Sequence, residues 1–243
     1  MFFHRETIGR VDVAFTDRAG GCSQGPWSSL NLGTSNGDDP QVVQRNLAAL
    51  AAAVGVDRLV RMTQVHGVEV VRTNDVRADD AGEVPVGDAL ITNQVGVGVL
   101  VRVADCTPVV LVGLDQPVAG VVHCGRDGLV KGVVAAAVSA FRAQGAMSVA
   151  ARIGPRACGR CYELPEEMAD AVAAVVPEAR STTSWGTPAV DVGAGVAAQL
   201  RDLDVSYVDI GADVCTIEDD RFFSYRRQGQ DSGRFGALAV IRA

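Results

Sequence analysis

The stretch GVLVRVADCTPVVLVGLDQPVAGVVHCGRDGLVKGVV, from Gly98 to Val134, decides the fold. It holds three apolar, β-branched runs, at 98–103, 108–113 and 118–123, which are separated by short polar or glycine-containing segments. Runs of this length and composition predict strands. A glycine-rich turn then leads into a segment of helical periodicity. Strands that alternate with helices in this way are typical of a layered α/β or α+β fold.

The same alternation continues along the chain. Further strands are predicted at 10–15, 89–92, 149–154 and 237–242. Helices are predicted from Pro40 to Gly55, from Gly128 to Gln144, near 165–176 and near 191–203. The first is bounded by a capping Asp39 and by Pro40 at its first position. No repeat or low-complexity linker divides the chain, so we expect one domain over residues 1–243. The polar stretch 16–40 is predicted to be a long loop, and a loop of that length is usually functional or mobile.

Composition indicates an ordinary globular protein and excludes several function classes. Hydrophobic residues make up 48% of the 243 residues and charged residues 21%, and the net charge is −7. This balance argues against a surface that binds a nucleic-acid backbone or an anionic membrane. The first residues lack the basic segment and apolar core of a secretory signal. We therefore expect a cytoplasmic protein, monomeric or weakly homo-oligomeric, with its six cysteines kept as thiols.

Two polar residues interrupt the apolar run VRVADCTPVVLV, namely Asp105 and Cys106. His66 lies before a glycine in MTQVHGVEV, and His123 lies where an apolar run meets the turn HCGRDG. Two imidazoles and one thiolate make a sensible zinc-binding set that leaves a fourth position open. His66, Cys106 and His123 are far apart in sequence, so spacing alone supports this set only weakly.

Each of these residues also has a simpler interpretation. Cysteine often behaves as a small buried hydrophobe, and Asp105 can cap the adjoining turn. Cys22, Cys124 and Cys215 are interpreted as packing residues. The motif Cys158-Gly-Arg-Cys161 fits a redox pair, half of a metal site or a tight loop, and no second C-x-x-C motif accompanies it.

Read together, the motifs resemble one known family. FTDRAGGCSQGPWSSLNLG, GDDPQVVQRN, TQVHG, ADCTPVVLV, HCGRDGLVKGVV, IGPRACGRCYEL and RFFSYRRQGQDSGRFGALAVI occur in the order found in laccase-domain, or YfiH-like, proteins. That family was formerly described as multicopper polyphenol oxidases and is now associated with purine nucleoside metabolism. The resemblance covers almost the whole chain. It implies a single mixed-sheet layered α/β domain, similar to YfiH and to cytotoxic necrotizing factor.

The resemblance also implies a function and a set of site residues. It implies Zn²⁺, rather than copper, on His66, Cys106 and His123. It implies phosphorolysis of adenosine, inosine, guanosine and methylthioadenosine, with purine nucleosides and phosphate as partners, and deamination of adenosine. Arg18, Asn31 and Gln64 are the substrate contacts that it implies. On their own chemistry, Arg126 is a further candidate for a substrate contact, and Asp105 is a candidate for holding a metal ligand in place or for proton transfer.

The chain departs from the family at one turn. The usual motif is H-A-G-W-R-G, whereas this chain has HCGRDG, with Arg126 in place of the aromatic residue and Asp127 in place of the arginine. An acid at a helix start would repel phosphate, whereas Arg126 would restore a positive contact. The departure puts the substrate range in question.

Three other functions stay open at this point. Cys106 and His123 also suit a cysteine hydrolase or amidase, with Cys106 as nucleophile and His123 as its base. A copper-dependent polyphenol oxidase is less favoured, because a cluster of several copper ions needs more imidazoles than three histidines provide. The altered HCGRDG turn is also compatible with a zinc-stabilised protein that binds nucleosides without turnover.

Overall fold

The computed structural model describes residues 1–76 and 84–243. Their helices and strands alternate as the sequence predicts. Within this part of the chain the strands are β1 (Phe2–Ile8), β2 (Val11–Thr16), β3 (Arg58–Val60), β4 (Val70–Arg72), β5 (Ala89–Thr92), β6 (Val97–Val103), β7 (Thr107–Gly113), β8 (Ala119–Cys124), β9 (Val149–Ile153), β10 (Arg180–Thr182), β11 (Pro188–Val190), β12 (Ser206–Asp209) and β13 (Phe235–Ile241). The α-helices are α1 (Pro40–Val54), α2 (Arg126–Lys131), α3 (Val133–Ala143), α4 (Glu166–Ala173), α5 (Val192–Asp202) and α6 (Tyr225–Gln228).

Two large mixed sheets form the centre of the molecule. One has the strand order β1-β2-β13-β6-β3, and the other has the order β12-β9-β7-β8-β5-β4. Most neighbours are antiparallel, and the parallel pairs are β3 with β6, β4 with β5 and β9 with β12. The strands β10 and β11 form a separate antiparallel pair.

The two sheets pack face to face, and helices cover their outer faces. Alternate residues of β6 show this arrangement: Val99, Val101 and Val103 enter the core between the sheets, whereas Leu100 packs toward α1. On the other side, α2 to α5 cover the six-stranded sheet. Both faces of the central strands are therefore buried, which explains why they are apolar almost without interruption. The predicted layered, mixed-sheet α/β class is confirmed.

The predicted strands are confirmed, and one predicted helix is corrected. In α1 the Asp39 side chain accepts a hydrogen bond from the backbone N–H of Gln41, and Gly55 ends the helix in the left-handed region at φ 66°. The helix predicted from Gly128 to Gln144 begins earlier, at Arg126, and divides at Gly132 into α2 and α3. Gly132 has φ 86°, a conformation that glycine adopts without steric cost.

The crossover between the sheets positions the site. The chain leaves β6 in one sheet and enters β7 in the other through residues 104–106, so Cys106 lies where the two layers meet. His123 lies near the end of β8, opposite Pro108 of β7. His66 lies in the segment between β3 and β4. No helix among the described residues combines the length and apolar character needed to cross a bilayer.

Candidate active site

The three donors proposed from the sequence converge on one point. The ligand atoms of His66, Cys106 and His123 all lie within 4.8 Å of one another. Cys106 Sγ lies 3.6 Å from His66 Nε2, and the two imidazole ring centroids are 4.7 Å apart. A tetrahedral zinc ion with Zn–S near 2.3 Å and Zn–N near 2.0 Å separates a sulfur from a nitrogen by about 3.5 Å. The donor set therefore fits a single ion.

Two unusual backbone conformations present these donors. His66 has φ 57° and Asp105, next to Cys106, has φ 86°, both in the left-handed region that non-glycine residues seldom adopt. Such conformations persist only where surrounding contacts hold them, and they cluster at functional sites. Here the contacts are visible, because carboxylates accept hydrogen bonds at both turns.

Asp88 holds both histidines and was missed by the sequence analysis. Its carboxylate accepts a hydrogen bond from His123 Nδ1 at 2.8 Å. The other ring nitrogen of His123, Nε2, is therefore the one left to face Cys106 and to bind a metal. The Asp88 carboxylate also accepts backbone N–H groups from Val65, His66 and Gly67 at 3.2, 2.9 and 2.7 Å. Asp88 is fully buried, and it is the kind of outer partner that orients a metal-binding histidine.

The electrostatics of this group favour a thiolate. Burial alone would raise the pKa of the Cys106 thiol, but the charge of His123 and hydrogen bonds from both histidines lower it to about 6. Burial alone would lower the pKa of His123, but the charge of Cys106 and the hydrogen bond to Asp88 raise it to about 9. Burial would likewise raise the pKa of Asp88, but its hydrogen bonds hold it at about 2. Metal binding requires the thiolate form of Cys106, which this arrangement supplies.

Gly125 closes one side of the donor set. A Cβ atom at this position would lie 2.6 Å from Cδ2 of His66 and 3.1 Å from Sγ of Cys106. Its φ of −85° is open to any residue, so the requirement for glycine comes from the close approach and not from the backbone. Gly125, two residues after His123, therefore belongs to the site.

The donors open into a cavity of about 580 Å³, a size suited to a small-molecule ligand. Among the described residues its lining is strongly basic, with four arginines, Arg102, Arg126, Arg226 and Arg234, and one acidic residue, Asp105. Tyr162 and Tyr225 also line it. Such a cavity suits a ligand that carries both an anionic group and a flat, polar ring.

Two of the predicted substrate-binding residues line the cavity, and two do not. Gln64 lines it, although its amide already pairs with the backbone N–H and C=O of Arg102. Arg126 also lines it. Asn31 is buried, and its side chain forms hydrogen bonds with Asn36 and with the backbone of the same loop. Asn31 is thus placed to shape the wall instead of touching a ligand.

Arg18 lies outside the cavity lining. Its guanidinium donates to the carbonyls of Ser28 and Pro26 at 2.6 and 3.2 Å and stacks over the ring of Phe223 at 4.5 Å. These bonds hold the loop that the sequence analysis placed at 16–40. Within that loop the regular structure is one 3₁₀ turn, Gly25–Trp27.

Asp105 is engaged on both carboxylate oxygens. One accepts from the hydroxyl of Thr216 at 2.7 Å, and the other accepts from the backbone N–H of Arg226 at 2.7 Å. Asp105 therefore ties the Cys106 turn to two distant segments of the chain. With both oxygens engaged in this way, Asp105 is placed to hold the backbone beside Cys106 in position.

In the altered turn HCGRDG, the two charged side chains pair with each other. Arg126 Nε donates to Asp127 Oδ1 at 2.8 Å, and this hydrogen bond lowers the pKa of Asp127. Asp127 also lies in the first turn of α2, where a carboxylate is favoured by the helix dipole. The acid introduced at this turn is thus offset by the arginine beside it.

Arg102 and Arg234 were also missed by the sequence analysis. Arg102 is the one charged residue in the strand β6, and burial lowers its pKa to about 10. An isolated charge within an apolar strand was the signal that could have identified it. The position of Arg234 depends on its hydrogen bonds to Asn31 and to the carbonyl of Ser232. No local sequence pattern predicts these contacts.

Known proteins resemble this chain over nearly its full length. A Streptomyces coelicolor protein named purine nucleoside phosphorylase SCO2081 is 47% identical, over 99% of this chain and 100% of its own. A Streptomyces griseus protein, purine nucleoside phosphorylase ORF3, is 49% identical over 96% of this chain and 95% of its own. The crystal structure of Neisseria meningitidis protein NMB0706 matches with a TM-score of 0.88 at 29% identity, covering 100% of this chain and 99% of that one. The structure of YlmD from Geobacillus stearothermophilus matches with a TM-score of 0.85 at 27% identity, covering 97% and 93%. The model of the family described as multi-copper polyphenol oxidoreductase laccase matches residues 12–242, and the chain belongs to this laccase-domain family.

Proposed function

We propose that this protein is a zinc-dependent purine nucleoside phosphorylase that also deaminates adenosine. The observation that carries the proposal is that the donors His66, Cys106 and His123 open into the same cavity as four arginines. The names of the relatives support the purine nucleoside and phosphate substrates. Adenosine, inosine, guanosine and methylthioadenosine are the proposed substrates of phosphorolysis.

His66, Cys106 and His123 would hold the ion, and Asp88 would orient both histidines. The set of two nitrogens and one sulfur is typical of zinc sites that keep a position open for a ligand. When bound, the ion would supply a positive charge and an acidified water molecule within the cavity. Asp105 acts as a positioning residue in this proposal, because both of its oxygens are used to hold the turn before Cys106.

The arginines would bind phosphate and orient it. In phosphorolysis a phosphate oxygen forms a bond to C1′ of the ribose, the bond from C1′ to N9 breaks, and its electron pair leaves with the base. The guanidinium groups of Arg234, Arg226 and Arg126 offset the negative charge of phosphate in that step. Tyr162 and Tyr225 supply aromatic surface against which a purine ring can stack.

Product analysis with adenosine separates the two reactions. Protein of known zinc content is incubated with adenosine, with and without phosphate, and the products are identified by chromatography. The proposal predicts adenine and ribose 1-phosphate only when phosphate is present, and inosine in either condition. Inosine with neither adenine nor hypoxanthine in the presence of phosphate would remove the phosphorolysis half of the proposal. Nucleoside binding without either product would favour a binding protein.

A substitution in the cavity tests the phosphate contact. Arg234→Gln removes one charged donor, and a lost charge-assisted hydrogen bond of this kind costs about 1.5–3 kcal/mol. We expect the KM for phosphate to rise about 10- to 100-fold, with a smaller effect on nucleoside binding. Arg45→Gln, on the exposed face of α1, is the matched control and should leave both constants unchanged. An unchanged phosphate KM in Arg234→Gln would refute this assignment.

A cysteine hydrolase is the second candidate, and one observation favours it. Cys106, with a pKa near 6, lies beside His123, which in turn donates to Asp88, and this order resembles a nucleophile, base and orienting acid. Metal-free protein distinguishes the candidates. Amidase activity that survives chelation and disappears on alkylation of Cys106 would favour the hydrolase over the phosphorylase.

Copper chemistry is a weaker candidate despite the description of the family. A Cys-His₂ set can hold one copper ion, but a multicopper cluster needs many more imidazoles. The chain has three histidines, and the third, His4, lies on β1 with its Nε2 bonded to Glu6 at 2.9 Å. Phenol oxidation by copper-loaded protein that depends on His66 and His123 would revive this candidate.

A further inference from the structure

A second cluster of metal-binding side chains lies outside the donor set of the cavity. Sγ of Cys158, Cys161 and Cys215 and a carboxylate oxygen of Glu218 all lie within 4.8 Å of one another. Cys161 and Cys215 are buried, Cys158 is half-buried and Glu218 is exposed. The sequence analysis found no partner for the C-x-x-C motif, because Cys215 is 54 residues beyond it and reads as a packing residue.

Backbone hydrogen bonds bring the two segments together independently of any ion. Cys158 and Cys161 flank a tight turn in which the N–H of Cys161 donates to the carbonyl of Cys158 at 3.0 Å. Cys215 opens a second turn, closed by the N–H of Glu218 at 3.1 Å. The turns are joined where Arg156 forms a parallel bridge with Cys215, and the N–H of Thr216 donates to the Arg156 carbonyl at 3.0 Å. The ligands are therefore held in place by the fold.

The chemistry of the cluster is that of a closed thiolate site. Three sulfurs and one carboxylate fill the four positions of a tetrahedral zinc ion, and a spacing of two residues between cysteines is common in structural zinc sites. The N–H of Cys158 donates to Sγ of Cys215 at 3.3 Å, and such bonds stabilise a coordinated sulfur. Arg227 donates to the carbonyls of Thr216 and Ile217, which places a positive charge beside this anionic cluster.

We propose that Cys158, Cys161, Cys215 and Glu218 bind a second, structural divalent ion of the zinc type. This site is closed by protein ligands, unlike the donor set of the cavity. It would join the segment 156–162 to the segment 215–218. Both segments support the cavity wall: the N–H of Ala157 donates to the carbonyl of Asp105, and the hydroxyl of Thr216 donates to its carboxylate. Tyr162, next to Cys161, lines the cavity itself.

Metal content tests the proposal without any measurement of activity. Protein purified with zinc and freed of loosely bound ions is analysed by elemental mass spectrometry. We expect two zinc ions per chain in the natural protein, one in Cys106→Ala and one in Cys161→Ser. Cys22→Ser is the matched control, since Cys22 is exposed and outside both clusters, and it should retain two. One ion in the natural protein and none in Cys106→Ala would overturn the proposal. A disulfide within the cluster, found by mass spectrometry of that same protein, would also overturn it.

Two further measurements keep the test decisive if Cys161→Ser does not fold. Glu218→Gln changes only an exposed ligand, and it should release one of its two zinc ions to a chelator faster than the natural protein does. Cobalt-substituted Cys106→Ala should retain a strong sulfur-to-cobalt charge-transfer band, because three thiolates remain. Unchanged zinc release in Glu218→Gln together with loss of that band would contradict the second site. Because neither readout involves nucleosides, failure here is distinct from failure of the proposed function.

Discussion

At the scale of single residues, the carboxylate of Asp88 does more to organise the cavity than any residue chosen from the sequence. It is buried and accepts four hydrogen bonds from the two histidine segments, one from an imidazole and three from backbone N–H groups. Because these segments belong to different strands and loops, one side chain fixes the separation of two metal donors. The strained backbone of His66 is held by the same carboxylate.

Asp88→Asn should therefore weaken metal binding while the chain still folds. The amide keeps the size of the side chain but loses the charge and one acceptor, and loss of such an outer partner lowers metal affinity by about 10- to 100-fold. Competition with a chromogenic chelator measures the change. Asp115→Asn is the control, because Asp115 accepts two backbone N–H groups at a turn away from the cavity. Equal zinc affinity in natural protein and Asp88→Asn would contradict the role assigned to Asp88.

Gly125→Ala tests the close approach beside the donors. The added methyl group would lie 2.6 Å from the ring of His66, so the ring or the turn must move. We expect loss of zinc from the cavity, seen in elemental analysis, with little change in helix and strand content by circular dichroism. Gly128→Ala, three residues further along in the first turn of α2, is the control, since the nearest atom to its added methyl is Cγ1 of Val133 at 3.3 Å, outside the donor set. Full zinc content in Gly125→Ala would show that the donors tolerate displacement.

The sequence could predict the donors but not their support, and the reason is physical. His66, Cys106 and His123 carry chemistry in their side chains, and each lies at the end of an apolar run. Asp88 resembles an ordinary turn residue before a strand. Its function depends on contacts with His66 and His123, 22 and 35 residues away, and no local pattern encodes those distances.

At the scale of elements, α1 anchors the long loop at 16–40 through one buried amide. Nδ2 of Asn46 donates to the carbonyls of Ser29 and Asn31, and its Oδ1 accepts the N–H of Cys22 at 2.8 Å. Asn31 in turn bonds Asn36, which lines the cavity. The long loop that the sequence predicts at 16–40 thus depends on a helix that faces away from the sheets' shared core.

Asn46→Ala should destabilise the protein and loosen this wall of the cavity. Buried groups left without partners cost about 1–3 kcal/mol, so the melting temperature should fall and the KM for nucleoside should rise more than kcat falls. Thermal denaturation and steady-state kinetics measure the two effects. Gln44→Ala, exposed on the same helix, is the control. A lower melting temperature with unchanged KM would mean that the loop does not transmit the change to the cavity.

Element types were predictable, but helix division and strand pairing were not. The apolar runs predicted the central strands because both of their faces are buried. The division of one helix at Gly132 was missed, since a single glycine can also lie within a helix at modest cost. The pairing of β6 with β13 joins residues more than 130 positions apart, which periodicity does not reveal. Cys22, interpreted as a packing residue, is exposed, so that interpretation was wrong.

At the scale of the whole molecule, the crossover between two sheets collects charges from distant parts of the chain into one cavity. The resulting balance of charges sets the pKa of the Cys106 thiol. In metal-free protein the pKa of Cys106 near 6 means that the thiolate prevails above that pH and the neutral thiol below it. Burial opposes this shift, and the charge of His123 is the main cause that favours it.

Alkylation of metal-free protein measures this balance. The rate of modification of Cys106 by iodoacetamide, followed by mass spectrometry, should rise with pH through an inflection near 6 and then level off. In His123→Asn the positive neighbour is lost, so the inflection should move to higher pH. An inflection in the natural protein near the ordinary thiol value of about 8.5 would contradict the charge arrangement described here.

The central claim is that one ion on His66, Cys106 and His123 is required for nucleoside chemistry, and metal removal and replacement tests it most directly. Chelated protein should lose adenosine phosphorolysis, and added zinc should restore it in the natural protein. Cys106→Ala should stay inactive after the same addition and contain one zinc ion fewer than the natural protein. Full turnover in metal-free protein, or unchanged zinc content and turnover in Cys106→Ala, would contradict the account.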